Sequence, residues 1–304
     1  MQERQQKKRG LWIIAALAVV TVIAAFVFNQ SANKEDNING LVPAGSFSHA
    51  HGIAVDVENM SKLYIATHHG LFMLENDEDL YRVGSSQDDF MGFSAHPTNP
   101  KIFFASGHPP RGGNLGFQKS EDGGHTWQKA SNGLRGPVDF HAMAVGQVDP
   151  DLIYGYYSGL QRSQDGGVTW EMLDVDLPDI IYLATDTEEK DTVYAATAGG
   201  LYASTDQGES WTMIESLSDS VVMTAAIKPD DNRELIVSTE TRGLVRSKDK
   251  GQTWQTVEDI LSDVPILYLA FARTEPNTIY AVNQNNVIFK STDSGQKWSK
   301  VFND

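Results

Sequence analysis

Residues 163–170 read Ser-Gln-Asp-Gly-Gly-Val-Thr-Trp, and the pattern returns as SEDGGHTW at 120–127, STDQGESW at 204–211, SKDKGQTW at 247–254 and STDSGQKW at 291–298. Successive copies start 43, 41, 43 and 44 residues apart. Every tryptophan except Trp12 closes one of these boxes. Self-similarity at this period signals a solenoid or a propeller. Between boxes lie short aromatic and β-branched runs separated by turn residues; in the third unit they fall at 141–145, 152–157, 159–163 and 169–173. Four strands in each period of about 40–45 residues make the blade of a β-propeller. The expected fold class is all-β: a single six-bladed propeller of four-stranded blades over residues 41–304.

The box has a physical reading of its own. Its aspartate (Asp122, Asp165, Asp206, Asp249, Asp293) can accept backbone N–H groups across a turn, and its last glycine allows a positive φ. Its tryptophan (Trp127, Trp170, Trp211, Trp254, Trp298) offers a large face to bury between blades. Calcium binding is not expected, because an EF-type loop needs several oxygen ligands closed by a glutamate and these turns supply essentially one carboxylate. The pattern resembles the Asp-box, or BNR, repeat of sialidases, sortilin-like receptors, xyloglucanases and a photosystem II assembly factor. The resemblance runs through five boxes over about residues 90–304. Residues 49–85 follow it more weakly: HGIAV, LYIAT, GLFML and LYRVG supply four strands, but Glu75-Asn76-Asp77 stands in place of a box. The resemblance implies a propeller and leaves activity open, since the motif occurs in enzymes often named glycosyl hydrolases and in non-enzymes alike. The three arginines by which sialidases hold their substrate are absent from the aligned inner-strand starts. Xyloglucanases of this type carry two propellers, whereas this chain has room for one.

The N-terminus is of a different kind. Residues 1–10 carry Arg4, Lys7, Lys8 and Arg9 against Glu3 alone, and Leu11 to Phe28 gives eighteen residues without a charge. A secretory h-region is about 7–15 residues long, whereas 18 or more apolar residues can span hydrocarbon. The basic flank is expected to stay cytoplasmic. The expected organisation is a cytoplasmic segment 1–10, a transmembrane anchor 11–28, a polar tether 29–40 and an extracytoplasmic body 41–304, single-pass in the cell membrane. Without residues 1–28 the chain keeps 20 basic and 39 acidic residues, a net charge of −19. That excludes nucleic acid and anionic lipid surfaces as partners of the body, since both need a basic footprint. With no cysteine, there are no disulfides and no thiolate ligands.

All eight histidines fall between His49 and His141. Aligned on the inner strands, His51 corresponds to Met91, His141, Ile181, Met223 and Leu267. In a four-stranded meander the entry to strand one and the loop from strand two to strand three share a face, here called the top. His49, His51, His68, His69, His108 and His141 are placed there, over adjacent blades one to three, and His96 and His125 at the bottom. Imidazoles so gathered suit zinc or copper, with Met91 at the rim favouring the softer ion. Unit two carries about eight extra residues around GHPPRGGNLG, which includes Arg111, on that same face. The loops entering units two to six each hold an aspartate: Asp89, Asp139, Asp179, Asp219 and Asp263. The expected function is a membrane-anchored module binding a peptide, glycan or metal ion at the top, with Asp89, Arg111, Asp139 and Glu240 as ligand-binding candidates. Two alternatives stand beside it. One is a glycoside hydrolase using a pair among Asp89, Asp139 and Glu240. The other is an extracytoplasmic assembly factor.

Overall fold

The computed structural model describes residues 40–218, 220–257 and 264–303. The expected segments 1–10 and 11–28, the tether before Gly40, Asp219 and Asp263 lie outside the described residues. Among the described residues no helix is long and apolar enough to cross a membrane. The chain divides into two compact units after Pro43. Of the first, the described part is Gly40 and a short strand, Leu41–Pro43.

The second unit is the propeller. Its six sheets follow one another in sequence, and within each the strands follow in order, antiparallel neighbour to neighbour. Blade one runs Ala50–Val55, Lys62–Thr67, Gly70–Glu75 and Asp79–Val83. The innermost strands of blades two to six are Asp89–Ala95, Ala142–Val145, Ile180–Thr185, Val222–Ile227 and Ile266–Phe271. Each inner strand packs on the next, and that of blade six on that of blade one, so the ring closes. The last strand, Ser299–Phe302, belongs to blade six itself. Closure between blades six and one therefore rests on side chains. Phe47 stacks on Phe302 at 6.0 Å within a cluster that also holds Leu80, Tyr280 and Ile288.

The boxes form the turns between third and fourth strands, and their hydrogen bonds explain the sequence pattern. Ser163 Oγ donates to Asp165 Oδ1 at 2.8 Å and accepts from Gly167 N at 2.8 Å. Thr169 donates to the same carboxylate through its N–H (2.8 Å) and its hydroxyl (2.6 Å). Two successive residues take positive φ, Gly166 at 70° and Gly167 at 86°. Gly166 N then donates to Asp151 O in the turn joining strands one and two, which pins the two bottom turns together. Blade one reaches the same geometry without a box. Asn76 (φ 54°) and Asp77 (φ 65°) supply the two left-handed positions, which Asn and Asp tolerate best among residues with a side chain, and Asn76 N donates to Ser61 O.

Candidate functional site

Each inner strand of blades one, four, five and six starts with a β-bulge, and the unpaired residue in each is His51, Ile181, Met223 or Leu267. A bulge re-aims the side chain of its extra residue. These four residues, with Gly92 and His141, line a cavity of about 80 Å³ at the upper end of the channel. Blade two thus presents Gly92 in place of the expected Met91, because its irregularity falls later, between Met91 and Ser94. A Cβ at Gly92 would lie 2.4 Å from Phe140 O, so this position admits no side chain in that arrangement. A larger cavity, about 160 Å³, occupies the lower channel and is bordered by His96 and by Arg273, which donates to Gln147 Oε1 at 2.7 Å.

The loop carrying His68 is built by local chemistry. Thr67 Oγ1 donates to Gly70 O and accepts from His69 N, both at 3.0 Å, closing the hairpin. Blade four makes the same turn with Thr197, Gly199 and Gly200. Its Ala198 and Gly199 occupy the places of His68 and His69, so the turn itself does not require histidine. Gly70 N donates to Asp88 O at 2.9 Å, which carries the hairpin to the entry of blade two and sets His68 beside Asp89.

Three donor atoms meet there. His51 Nε2 lies 3.0 Å from His68 Nδ1 and 3.3 Å from Asp89 Oδ1, and His68 Nδ1 lies 2.5 Å from Asp89 Oδ2. The His51 and Asp89 side chains are 9% and 8% exposed, and that of His68 is 45% exposed. Burial pushes the His51 imidazole down to about 4, against the opposing pull of the Asp89 carboxylate. His108 Nε2 stands 3.4 Å from Asp89 Oδ2, and the His49 ring lies 5.3 Å from that of His51. His141, exposed on the next blade, sits 3.2 Å from Asp139 Oδ2, and this hydrogen bond raises its pKa. Oδ1 of both Asp89 and Asp139 is buried and accepts no hydrogen bond.

The remaining candidates are placed as follows. His69 is exposed, with its ring 6.5 Å from that of His68. Arg111 is exposed in the blade-two excursion, a loop held to blade three by Asn114, whose Nδ2 donates to Pro137 O and to the Tyr157 hydroxyl. Glu240 is exposed on blade five, three blades from Asp89 across the channel. Asp179 is exposed on blade four. In sequence Asp89 belongs to the row of entry aspartates, and nothing there pairs it with His51 and His68. The Gly70–Asp88 backbone link between blades brings them together.

Fold and repeat together define a class: this chain is a six-bladed β-propeller, and its turns resemble the BNR/Asp-box repeat. A family model described as the DUF6242 beta propeller domain matches residues 153–274. A GH74 xyloglucanase from Xanthomonas campestris is similar in structure, with a TM-score of 0.62 at 16% identity over 84% of this chain and 45% of its own. The Niastella koreensis GH74 enzyme gives 0.63 at 16% identity over 86% and 46%. YCF48 bound to D1 peptide gives 0.54 at 15% identity, over 86% of each chain. The chain spans less than half the length of the two GH74 proteins, and at these identities the likeness is one of fold. A sequence search of curated proteins found no match.

Proposed function

We propose that this protein is an interaction module that binds a peptide ligand on its top face, over blades one to three. Residues 11–28 hold it in the cell membrane, and the propeller faces outward. The observation carrying this reading is the asymmetry of the rim. Blades one to three gather His51, His68, Asp89, His108, Asp139 and His141, whereas blades four to six present Ile181, Met223 and Leu267 at the bulge position. Blades one and four share the bulge and the turn yet carry different side chains there, which marks the polar side as built for something other than the fold. A peptide is favoured over a glycan because YCF48, a propeller matched along 86% of its length, holds one. The acidic body favours a neutral or basic ligand. Hydrolysis by paired carboxyls fits less well: Asp89 and Asp139 are each engaged by histidine, and Glu240 stands across the channel.

The test is capture from peptide and glycan arrays by the purified protein. His108→Ala together with His141→Ala, the first half-buried and the second exposed, is expected to weaken capture at least about tenfold, the scale of one interface anchor. His125→Ala on the bottom face should leave it unchanged. Capture indifferent to the top-face pair would place the ligand elsewhere, and turnover of a xyloglucan panel would favour the enzyme reading instead.

A further inference from the structure

We infer that His51 Nε2, His68 Nδ1 and one Asp89 carboxylate oxygen form a mononuclear site for a divalent d-block cation, zinc being the best fit. These atoms all lie within 4.8 Å of one another. Tetrahedral donors 2.0–2.1 Å from zinc stand roughly 3.4 Å apart. The two nitrogens stand 3.0 Å apart, and the two Asp89 oxygens lie 3.3 Å (Oδ1) from His51 Nε2 and 2.5 Å (Oδ2) from His68 Nδ1, so a side-chain rotation that spreads His68 from the carboxylate and turns one oxygen toward both nitrogens completes the set.

Proton counting argues for an ion independently. His68 Nδ1 carries either one proton or one lone pair. If it carries the proton, it donates to Asp89 Oδ2, and His51 Nε2 at 3.0 Å either shares that same hydrogen or turns a proton of its own toward Asp89 Oδ1, 3.3 Å away and outside good hydrogen-bond geometry. If it carries the lone pair, that pair faces a carboxylate oxygen at 2.5 Å. Asp89 Oδ1 accepts no hydrogen bond of good geometry, His51 Nε2 standing 3.3 Å away, although its side chain is nine-tenths buried. Buried polar atoms without partners are rare, and each costs free energy. One cation satisfies all three lone pairs at once.

The donor set selects the metal. Two imidazoles with one carboxylate suit zinc and its neighbours, whereas calcium and magnesium prefer all-oxygen shells. Three protein ligands leave a coordination position open, and the exposure of His68 puts that position on the solvent side. His108, near Asp89, stands beside the set as a surrounding hydrogen-bonding group. The repeats serve as an internal control: the places of His51 and His68 hold Ile181 and Ala198 in blade four, with the same bulge and the same turn.

This inference rests on the top-face reading, because the open position would anchor an oxygen or nitrogen of the proposed peptide. The experiment is calorimetric titration of the purified, chelator-treated full chain with zinc alone. One equivalent should bind. His68→Ala and Asp89→Asn should each weaken binding by more than about 100-fold, beyond the loss typical of a group merely supporting a metal ligand. Binding in His96→Ala and magnesium titration serve as controls: the first unchanged, the second silent. Asp89 is buried and its variant could unfold, whereas the exposed His68 carries the test alone if circular dichroism shows that it does. Absence of saturable binding, or binding undiminished in folded His68→Ala, overturns the site. Peptide capture read with and without chelator separates the two ideas. Capture indifferent to chelator but lost in the His108/His141 pair leaves a ligand face without a metal anchor. Zinc bound as expected with no capture at all leaves the metal site and removes the ligand.

Discussion

At the scale of single residues, the box aspartates are hydrogen-bond hubs. Asp206 accepts from the Ser204 hydroxyl and from the N–H and hydroxyl of Ser210, and the Ser210 bonds lead in holding its pKa at about 2, against an ordinary 3.8. A carboxyl depressed in the folded state stabilises above its unfolded pKa and loses that contribution as pH falls through the folded one. Asp206→Asn should therefore flatten the dependence of stability on pH between about 4 and about 2, read as urea midpoints across that window. A second residue-scale expectation concerns Gly167. A Cβ there would lie 2.0 Å from Phe117 Cε1, at a φ of 86°. Gly167→Ala should cost at least about 1–3 kcal/mol by overpacking, measured by denaturant unfolding. The serine that opens each box escaped the sequence reading, since a buried hydroxyl accepting from the glycine N–H has no signature beyond its recurrence.

Elements show which parts of the account were legible. Box spacing and four runs per period were enough for six four-stranded blades, because both encode local periodicity. Register was less legible. Aligning Met91 with His51 takes the inner strands as having one register, whereas the register of blade two shifts between Met91 and Ser94, so that Gly92 enters the channel. Blade one, which lacks a box, was the weakest unit in sequence, yet Asn76 and Asp77 rebuild the turn. The candidate site was half legible: adjacency of blades brought the histidines to one face, but the union of His51 and His68 with Asp89 depends on contacts between blades. Trp170 shows the same dependence on a neighbouring blade. Its ring meets Phe117 at 5.2 Å and Phe140 at 5.0 Å, and its Nε1–H points to Ser131 Oγ. Trp170→Ala should cost about 3 kcal/mol, the low end for a large aromatic because this ring is only half-buried, while zinc binding at the opposite end stays intact. An unchanged thermal midpoint would show that the ring does not join the blades.

On the scale of the whole molecule, the ring closes at a seam between blades six and one that carries no shared strand. Asp77 of blade one accepts from the Tyr280 hydroxyl at 2.8 Å and from Lys290 Nζ at 2.7 Å, both on blade six. Asp77→Ala should lower stability by about 1–2 kcal/mol, a charged hydrogen-bond pair discounted for partial exposure, with guanidinium unfolding as the measure. Deleting residues 1–28 should move the protein from the membrane fraction to the soluble one, detected by fractionation; retention with the membrane would contradict the anchor. Function in this account sits on one half of one face, where a regular scaffold carries irregular chemistry. Nitrogen NMR of ¹⁵N-histidine-labelled protein during zinc titration tests that most directly, because it reports each imidazole nitrogen. Two of the eight histidines should change strongly and saturate at one equivalent, His51 through Nε2 and His68 through Nδ1. Changes centred on His96 or His125, or none that saturate, would contradict it.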